Sequence, residues 1–316
     1  MTARQKKKPT RRRLGYKSGN IDLHIHSSAS DGSLSPEQIL SHALESGLAA
    51  IAITDHDTLE GSAAVLRQGI PDNLDFLTGV EISAEYPPGF DTSGSMHILG
   101  YGISPQNPHL NHLLEKQQHA RISRNPGIIK KLNSLGIPVT LEEIGAEAGR
   151  QEIARPHIAS HLVRKGYAAD VEDAFNRYLA KGKPAYVDKF RIPAEQAAAA
   201  IDAAGGIAVL AHPGLLPESI KNCLEKFITT LKSMGICGIE VYYPGHGPEQ
   251  ISHYENLAEK FGLLVTGGTD FHGDINQHIS MGKGLGDMAI PYSVFRRILQ
   301  ALDSKKHGYD FPVSNK

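Results

Sequence analysis

Six histidines and four carboxylates in this chain stand beside short apolar segments, where a metal site could be assembled. His24 and His26 lie two apart in Asp22-Leu23-His24-Ile25-His26. On a strand, that spacing points both imidazoles to one face and lets them share an ion. Asp55 and His56 occur in Thr54-Asp55-His56-Asp57-Thr58, and Glu81 in Gly79-Val80-Glu81-Ile82. His97 follows Met96, and His212 lies in Ala211-His212-Pro213-Gly214. Asp270 and His272 share Gly268-Thr269-Asp270-Phe271-His272, and Asp31 completes the set. A His-X-His pair alone arises often by chance; ten such groups at comparable positions do not. Imidazole with carboxylate, and no thiolate among them, suits Zn²⁺, Mn²⁺ or Fe²⁺ rather than a structural zinc. The groups are too many for one ion and fit two or three ions joined by a bridging carboxylate. The chemistry of such a cluster is metal-assisted hydrolysis.

These residues need elements to hold them. Apolar runs occur at Ile21–His26, Ala50–Thr54, Phe76–Ser83, Met96–Ile103, Ile207–His212, Gly238–Tyr243 and Leu263–Thr269. Their length and their Gly, Pro or Asp borders predict buried strands. Helical patterns lie between most of them. Ser35 can cap a helix with Pro36 in its first turn, Ile39, Leu40, Ala43 and Leu44 on one face and Gly47 at its end. Pro193 to Ala204, Pro248–Phe261 and Tyr292–Leu302 read the same way, and Asp57 is expected to cap a helix over Thr58–Gln68. Alternating strands and helices predict a parallel, barrel-like α/β sheet of seven strands, with the histidines and carboxylates at the C-terminal strand ends where such folds place their sites.

The span from about residue 109 to 190 breaks the alternation. It reads as helical, with turns near Gly136–Pro138 and Gly182–Pro184. It is expected to form a cap between the barrel parts 20–108 and 191–316 and to contribute substrate contacts. His109, His112 and His119 fall at helical spacing and read as a solvated face.

The net charge of −1 hides an asymmetry. Arg4, Lys6, Lys7, Lys8, Arg11, Arg12, Arg13 and Lys17 crowd a segment without acids, and outside it 25 basic residues face 34 acidic ones. Residues 1–19 read as a solvated, disordered leader, with nucleic-acid contact as the other reading. Two cysteines, Cys223 and Cys237, give no disulfide framework. With no membrane-length apolar run, and no apolar stretch after the basic N-terminus, a cytoplasmic protein without membrane contact is expected.

The stretches Asp-Leu-His-Ile-His-Ser with Ser30-Asp31-Gly32, Thr-Asp-His-Asp-Thr, Gly-Val-Glu-Ile, Met-His-Ile-Leu-Gly-Tyr, Ala-His-Pro-Gly and Thr-Asp-Phe-His-Gly run in this order from residue 21 to about 274. In this the chain resembles the PHP (polymerase and histidinol phosphatase) proteins. It is most similar to the stand-alone branch that hydrolyses 3′,5′-bisphosphate nucleotides and trims the 5′ ends of short RNAs. That branch has a helical insertion with an Ala-Arg-Pro-His-Ile segment, here Ala154 to Ile158, and an upstream Arg-Asn pair, here Arg124-Asn125. Pro126, directly after that pair, departs from a regular helix and implies a helix start or a kink.

The resemblance implies a distorted seven-stranded (β/α) barrel with a helical cap. It places one ion on His24, His26, Glu81 and Asp270, a second on Glu81, His97 and His212, and a third on Asp31, His56 and His272. Mn²⁺ is the first expectation for these two or three divalent ions, with Zn²⁺ or Fe²⁺ as alternatives. Glu81, Asp270 and His212 would carry the catalysis, and Arg124, Asn125, Arg155 and His157 would hold substrate phosphate. Asp55 is expected to orient an imidazole or a bound water. Tyr242, Tyr243 and His246 are expected to face the mouth, Tyr243 either stacking on a base or packing. The implied partner is a small nucleotide with two phosphates, or short RNA, with no obligate protein partner. The rival readings are a histidinol-phosphate phosphatase and a polymerase-associated nucleic-acid-binding module.

Overall fold

The computed structural model describes residues 19–90, 94–148, 153, 155–188 and 190–307. The basic leader up to residue 18 and Ala154 lie outside these. The strands are β1 (Ile21–Ile25), β2 (Ala50–Ile53), β3 (Asp75–Glu85), β4 (Met96–Tyr101), β5 (Ile192–Pro193), β6 (Ile207–Leu210), β7 (Ile236–Tyr242) and β8 (Leu264–Gly267). The helices are α1 (Pro36–Glu45), α2 (Glu60–Gln68), α3 (Pro108–Ser134), α4 (Leu141–Ala148), α5 (Arg155–Arg164) and α6 (Val171–Ala174), which runs into a π turn, Phe175–Leu179. After the insertion come α7 (Ala194–Ala203), α8 (Glu218–Lys221), α9 (Leu224–Ser233), α10 (Pro248–Phe261) and α11 (Tyr292–Lys306).

Seven strands form one curled sheet in the order β1-β2-β3-β4-β6-β7-β8, and the short β5 pairs with β3. Its open sides meet where Ile25 bridges Phe271; the His26 amide donates to the Phe271 carbonyl at 2.9 Å. The expected seven-stranded α/β barrel is found, with one correction: β4 runs antiparallel to β3 and β6. A ten-residue link is too short for the crossover that a parallel β3–β4 pair requires. His97, second in β4, is therefore near that strand's N-terminal end. Reversal of the strand brings it to the rim that the other strands reach with their C-terminal ends.

Packing follows from alternation along each strand. In β1, Ile21 and Leu23 pack with Val294, Phe295 and Ile298 of α11, while Asp22 and His24 take the opposite face. Helix α1 starts as expected: the Gln38 amide donates to Ser35 Oγ, and the Ser35 amide to Gln38 Oε1, a reciprocal capping box.

Asp57 does not cap α2. That helix begins at Glu60 with no side-chain cap. Asp57 takes a left-handed backbone (φ 55°), and its carboxylate accepts from the Ser83 amide at 2.8 Å and from Gln117 Nε2 at 2.5 Å. The Ile192 amide donates to Gln117 Oε1 at 2.7 Å. One buried amide side chain on α3 thus ties together the start and the end of the insertion, beside His56.

The insertion is helical, with its turns at Gly136 (φ 79°) and Gly182 (φ 82°). Leu110, Leu113 and Leu114 of α3 still pack in the barrel core. From Ile128 and Leu132 onward, buried side chains form a separate cluster with Ile144, Ile158, Leu162 and Leu179. Helix α3 continues through Pro126. The proline has no amide to offer the Ile122 carbonyl, so the ladder loses one bond just after Arg124-Asn125. Among the described residues, no helix is long and apolar enough to cross a membrane.

Candidate metal centre

The rim gathers the predicted residues around Glu81, which lies inside the long strand β3 rather than at its end. His24 Nε2 and His26 Nε2 are 3.2 Å apart. Each approaches Glu81 Oε2, at 3.4 and 3.1 Å, and Asp270 Oδ1, again at 3.4 and 3.1 Å. Four donors around a metal at about 2.1 Å in a tetrahedron are separated by roughly 3.4 Å, so these spacings are those of a coordination shell. The other oxygen of Glu81 looks the opposite way. Its Oε1 lies 2.8 Å from His97 Nδ1 and 2.9 Å from His212 Nε2, and those two nitrogens are 3.3 Å apart. His56 Nδ1 approaches Glu81 Oε2 at 3.0 Å.

A further group surrounds Asp31. His26 Nδ1 and His272 Nε2 each lie 3.4 Å from Asp31 Oδ1, and His56 Nε2 lies 3.8 Å from Oδ2. Among the described residues, three sets of donor atoms suited to an ion therefore occur: His24, His26, Glu81 and Asp270; His26, Asp31, His56 and His272; and His56, Glu81 and His97. His56 and His26 each belong to two sets, so the boundaries between sets are less sharp than the three-way division of the sequence resemblance.

Cations fit this donor set on structural grounds. Asp31 Oδ1, His56 Nδ1 and Glu81 Oε2 are buried and make no hydrogen bond. Such atoms cost free energy unless something satisfies them, and here each belongs to one of these donor sets, Asp31 Oδ1 on the Nδ1 side of His26 and Glu81 Oε2 with His56 Nδ1 on the other. The three carboxylates of the cluster are kept in the charged form. Burial would raise the carboxyl pKa of Glu81, yet the His56, His97 and His24 imidazoles hold it well below the usual carboxylate range. Asp270 and Asp31 are likewise held low against their burial by neighbouring histidines. Burial pushes His56 down to about 3, against the pull of Glu81 and Asp31, whereas against the same burial the neighbouring carboxylates raise His24, His26 and His212, so an ion taking those imidazoles must displace protons.

Two site residues sit in unusual backbone conformations, His212 with φ 25° and Asp270 with φ 54°. Non-glycine residues adopt such angles rarely and at a cost of about 1–2 kcal/mol, and they concentrate where geometry serves function.

Several neighbours differ from expectation. Asp55 orients the loop that carries Asp31: it accepts from the Ser27 amide, Ser27 Oγ and Ser30 Oγ, each at 2.7 Å. Its hydrogen-bonded link to an imidazole runs through Ser30, whose Oγ is 3.5 Å from His26 Nδ1. Tyr242 turns away from the mouth and donates to Glu255 at 2.7 Å. His246 is structural; it donates from Nδ1 to the Val241 carbonyl and accepts from the Gly214 amide at Nε2. Tyr243 does face the site, with its ring 5.5 Å from that of His212 and its hydroxyl donating to Asp270 Oδ2 at 3.3 Å. His109, His112 and His119 are exposed, as expected.

The cap residues are placed less directly. Arg124 and Asn125 are buried on α3, and Asn125 donates to the Ile153 carbonyl at 2.6 Å. Arg155 and His157 are half-buried at the start of α5, with the Arg155 guanidinium over the Phe175 ring. Sequence reasoning missed Glu240 of β7, which is fully buried and accepts from His24 Nδ1 at 2.9 Å and from the His212 amide at 2.7 Å. The available signal was an acid within the otherwise apolar run Ile-Cys-Gly-Ile-Glu-Val-Tyr.

Residues 22–311 match the PHP domain. The chain belongs to this family. It is 36% identical over 258 residues to a 3′,5′-nucleoside bisphosphate phosphatase of Chromobacterium violaceum, covering 80% of this chain and 87% of that protein. It is 34% identical over 275 residues to a 5′-3′ exoribonuclease of Haemophilus influenzae, covering 85% and 96% of the two chains. Among solved structures, a metal-dependent phosphoesterase from Bifidobacterium adolescentis superposes with a TM-score of 0.71 at 30% identity, over 89% of this chain and 95% of the other. This PHP protein is a metal-dependent phosphoesterase, a hydrolase, with a cluster of histidines and carboxylates able to hold its ions.

Proposed function

We propose that this PHP protein removes a phosphate monoester from nucleoside 3′,5′-bisphosphates, converting pAp to AMP and phosphate. His24, His26, Asp31, His56, Glu81, His97, His212, Asp270 and His272 hold two or three divalent ions, Mn²⁺ foremost. The observation that carries this reading is Glu81, whose two oxygens face two different groups of imidazoles. The bisphosphate phosphatase of C. violaceum, similar over most of both chains, supports the choice of substrate.

When bound, the ions supply an activated water and positive charge for the phosphoryl oxygens. The protein's own residues do the rest. His24 and Asp270 fix one side of the cluster and His97 and His212 the other, with Glu81 between them. Tyr243 holds the Asp270 carboxylate from its outer oxygen. A substrate with a second phosphate needs cationic groups and hydrogen-bond donors away from the ions; Arg155, Arg124 and His157 of the cap supply the first and Asn125 a neutral amide donor. A guanidinium can take phosphate by two parallel hydrogen bonds, which an ammonium cannot.

Phosphate release from pAp and from histidinol phosphate, and mononucleotide release from a short 5′-phosphorylated RNA, each with Mn²⁺, test the reading. pAp is expected to be the best substrate. Turnover of histidinol phosphate alone contradicts it, and degradation of the RNA without action on pAp favours the activity named for the H. influenzae relative. Arg155→Lys is expected to raise KM for pAp about tenfold with kcat little changed, as the loss of one bidentate contact would give. An unaltered KM removes Arg155 from the substrate site.

A further inference from the structure

We propose that Glu240 is a positioning residue that fixes one ligand on each side of the metal cluster without touching an ion. This rests on the reading that His24 and His212 are ligands. Glu240 lies in the middle of β7, where Ile239 and Val241 pack in the hydrophobic core and Glu240 takes the opposite face. It is fully buried, in a strand where any apolar side chain would cost less.

Both oxygens are committed. Oε1 accepts from His24 Nδ1 at 2.9 Å, and Oε2 accepts from the His212 amide at 2.7 Å. The first contact selects the ring form of His24. With its proton on Nδ1, the lone pair on Nε2 faces His26, Glu81 and Asp270, which is the orientation an ion requires. The second contact supports a backbone at φ 25°, which a residue with a side chain seldom adopts. A charge-assisted bond to a buried carboxylate is strong enough to hold it there. One side chain thus sets the ring of His24 and the turn that carries His212, on opposite sides of Glu81.

Glu240→Gln separates this role from simple packing. The amide has nearly the same shape but one acceptor oxygen, so its NH₂ must oppose either the His212 amide or His24 Nδ1. In the second arrangement His24 is driven to the ring form that presents a proton to the cluster. Mn²⁺ affinity, measured by competition with a chelating dye, is expected to fall about 10–100-fold relative to the parent. Thermal unfolding of the metal-free protein is expected to change little, and turnover to recover as Mn²⁺ is raised. Affinity within twofold of the parent overturns the proposal, as does a fall in metal-free unfolding temperature without loss of affinity. If the parent itself binds no Mn²⁺, the ligand reading falls along with it. Should the glutamine variant not fold, Glu240→Asp reports the same quantity: its shorter side chain cannot span both donors, so unchanged affinity there also overturns the proposal.

Discussion

Glutamine in place of Glu81 is expected to slow phosphoester hydrolysis about a thousandfold or more, on the order of 4 kcal/mol in the barrier. Glu81 is 1% exposed and offers one oxygen to each side of the cluster. Oε1 meets His97 and His212 at 2.8 and 2.9 Å, while Oε2 meets His26 and His56 at 3.1 and 3.0 Å. An amide of the same shape keeps only one oxygen, so one side receives an NH₂ that cannot ligate. The negative charge that offsets the surrounding cations is lost as well. Rate and bound metal are therefore expected to fall together, as read by phosphate release and by elemental analysis of the dialysed protein. Metal content and rate equal to the parent's would show that Glu81 is no ligand.

Much of this site is legible in the sequence because strand periodicity and residue type carry it. His24 and His26 two apart on β1, and Asp270 just beyond β8, are local facts that the fold cannot easily rearrange. The strand count follows from the apolar runs, and α1 from Ser35 and Pro36. What the sequence could not show depends on contacts far along the chain. The reversal of β4 changes which end of that strand His97 occupies, yet an apolar run reads alike in both directions. Asp57 has the sequence signature of a helix cap, but Gln117, sixty residues away, and the strand β3 take its carboxylate. Asp55 is adjacent to His56 in sequence, while its hydrogen bonds go to Ser27 and Ser30. Glu240 stands in no motif, and only the folded barrel sets it against His24 and His212.

Gly268→Ala is expected to damage both the barrel and the site, although the residue carries no functional group. A Cβ at this position would lie 2.3 Å from the His24 amide nitrogen and from its Cβ. The obstacle is the backbone of β1, which cannot step aside because it is bonded to β2 on its other side. Relief requires β8 to move away from β1 where the sheet closes. Overpacking costs about 1–3 kcal/mol, and an immovable backbone puts this substitution at the upper end or beyond. The unfolding temperature is expected to fall by roughly 5–10 °C. The same displacement draws Asp270 away from His24 and His26, which it approaches at 3.4 and 3.1 Å, so metal binding weakens as well. Calorimetry and dye competition on the same preparation check the two effects. A stable variant with parental metal affinity would mean that the close contact of β1 with β8 does not hold the site.

Anomalous diffraction from crystals grown with Mn²⁺ tests the central claim most directly. The expected map has one peak among His24, His26, Glu81 and Asp270 and another beside Glu81, His97 and His212, with Glu81 within about 2.5 Å of both. A third peak is expected at Asp31, His56 and His272 if three ions bind. A map with no ion at Glu81, or with Mn²⁺ bound only away from these nine residues, would contradict the account.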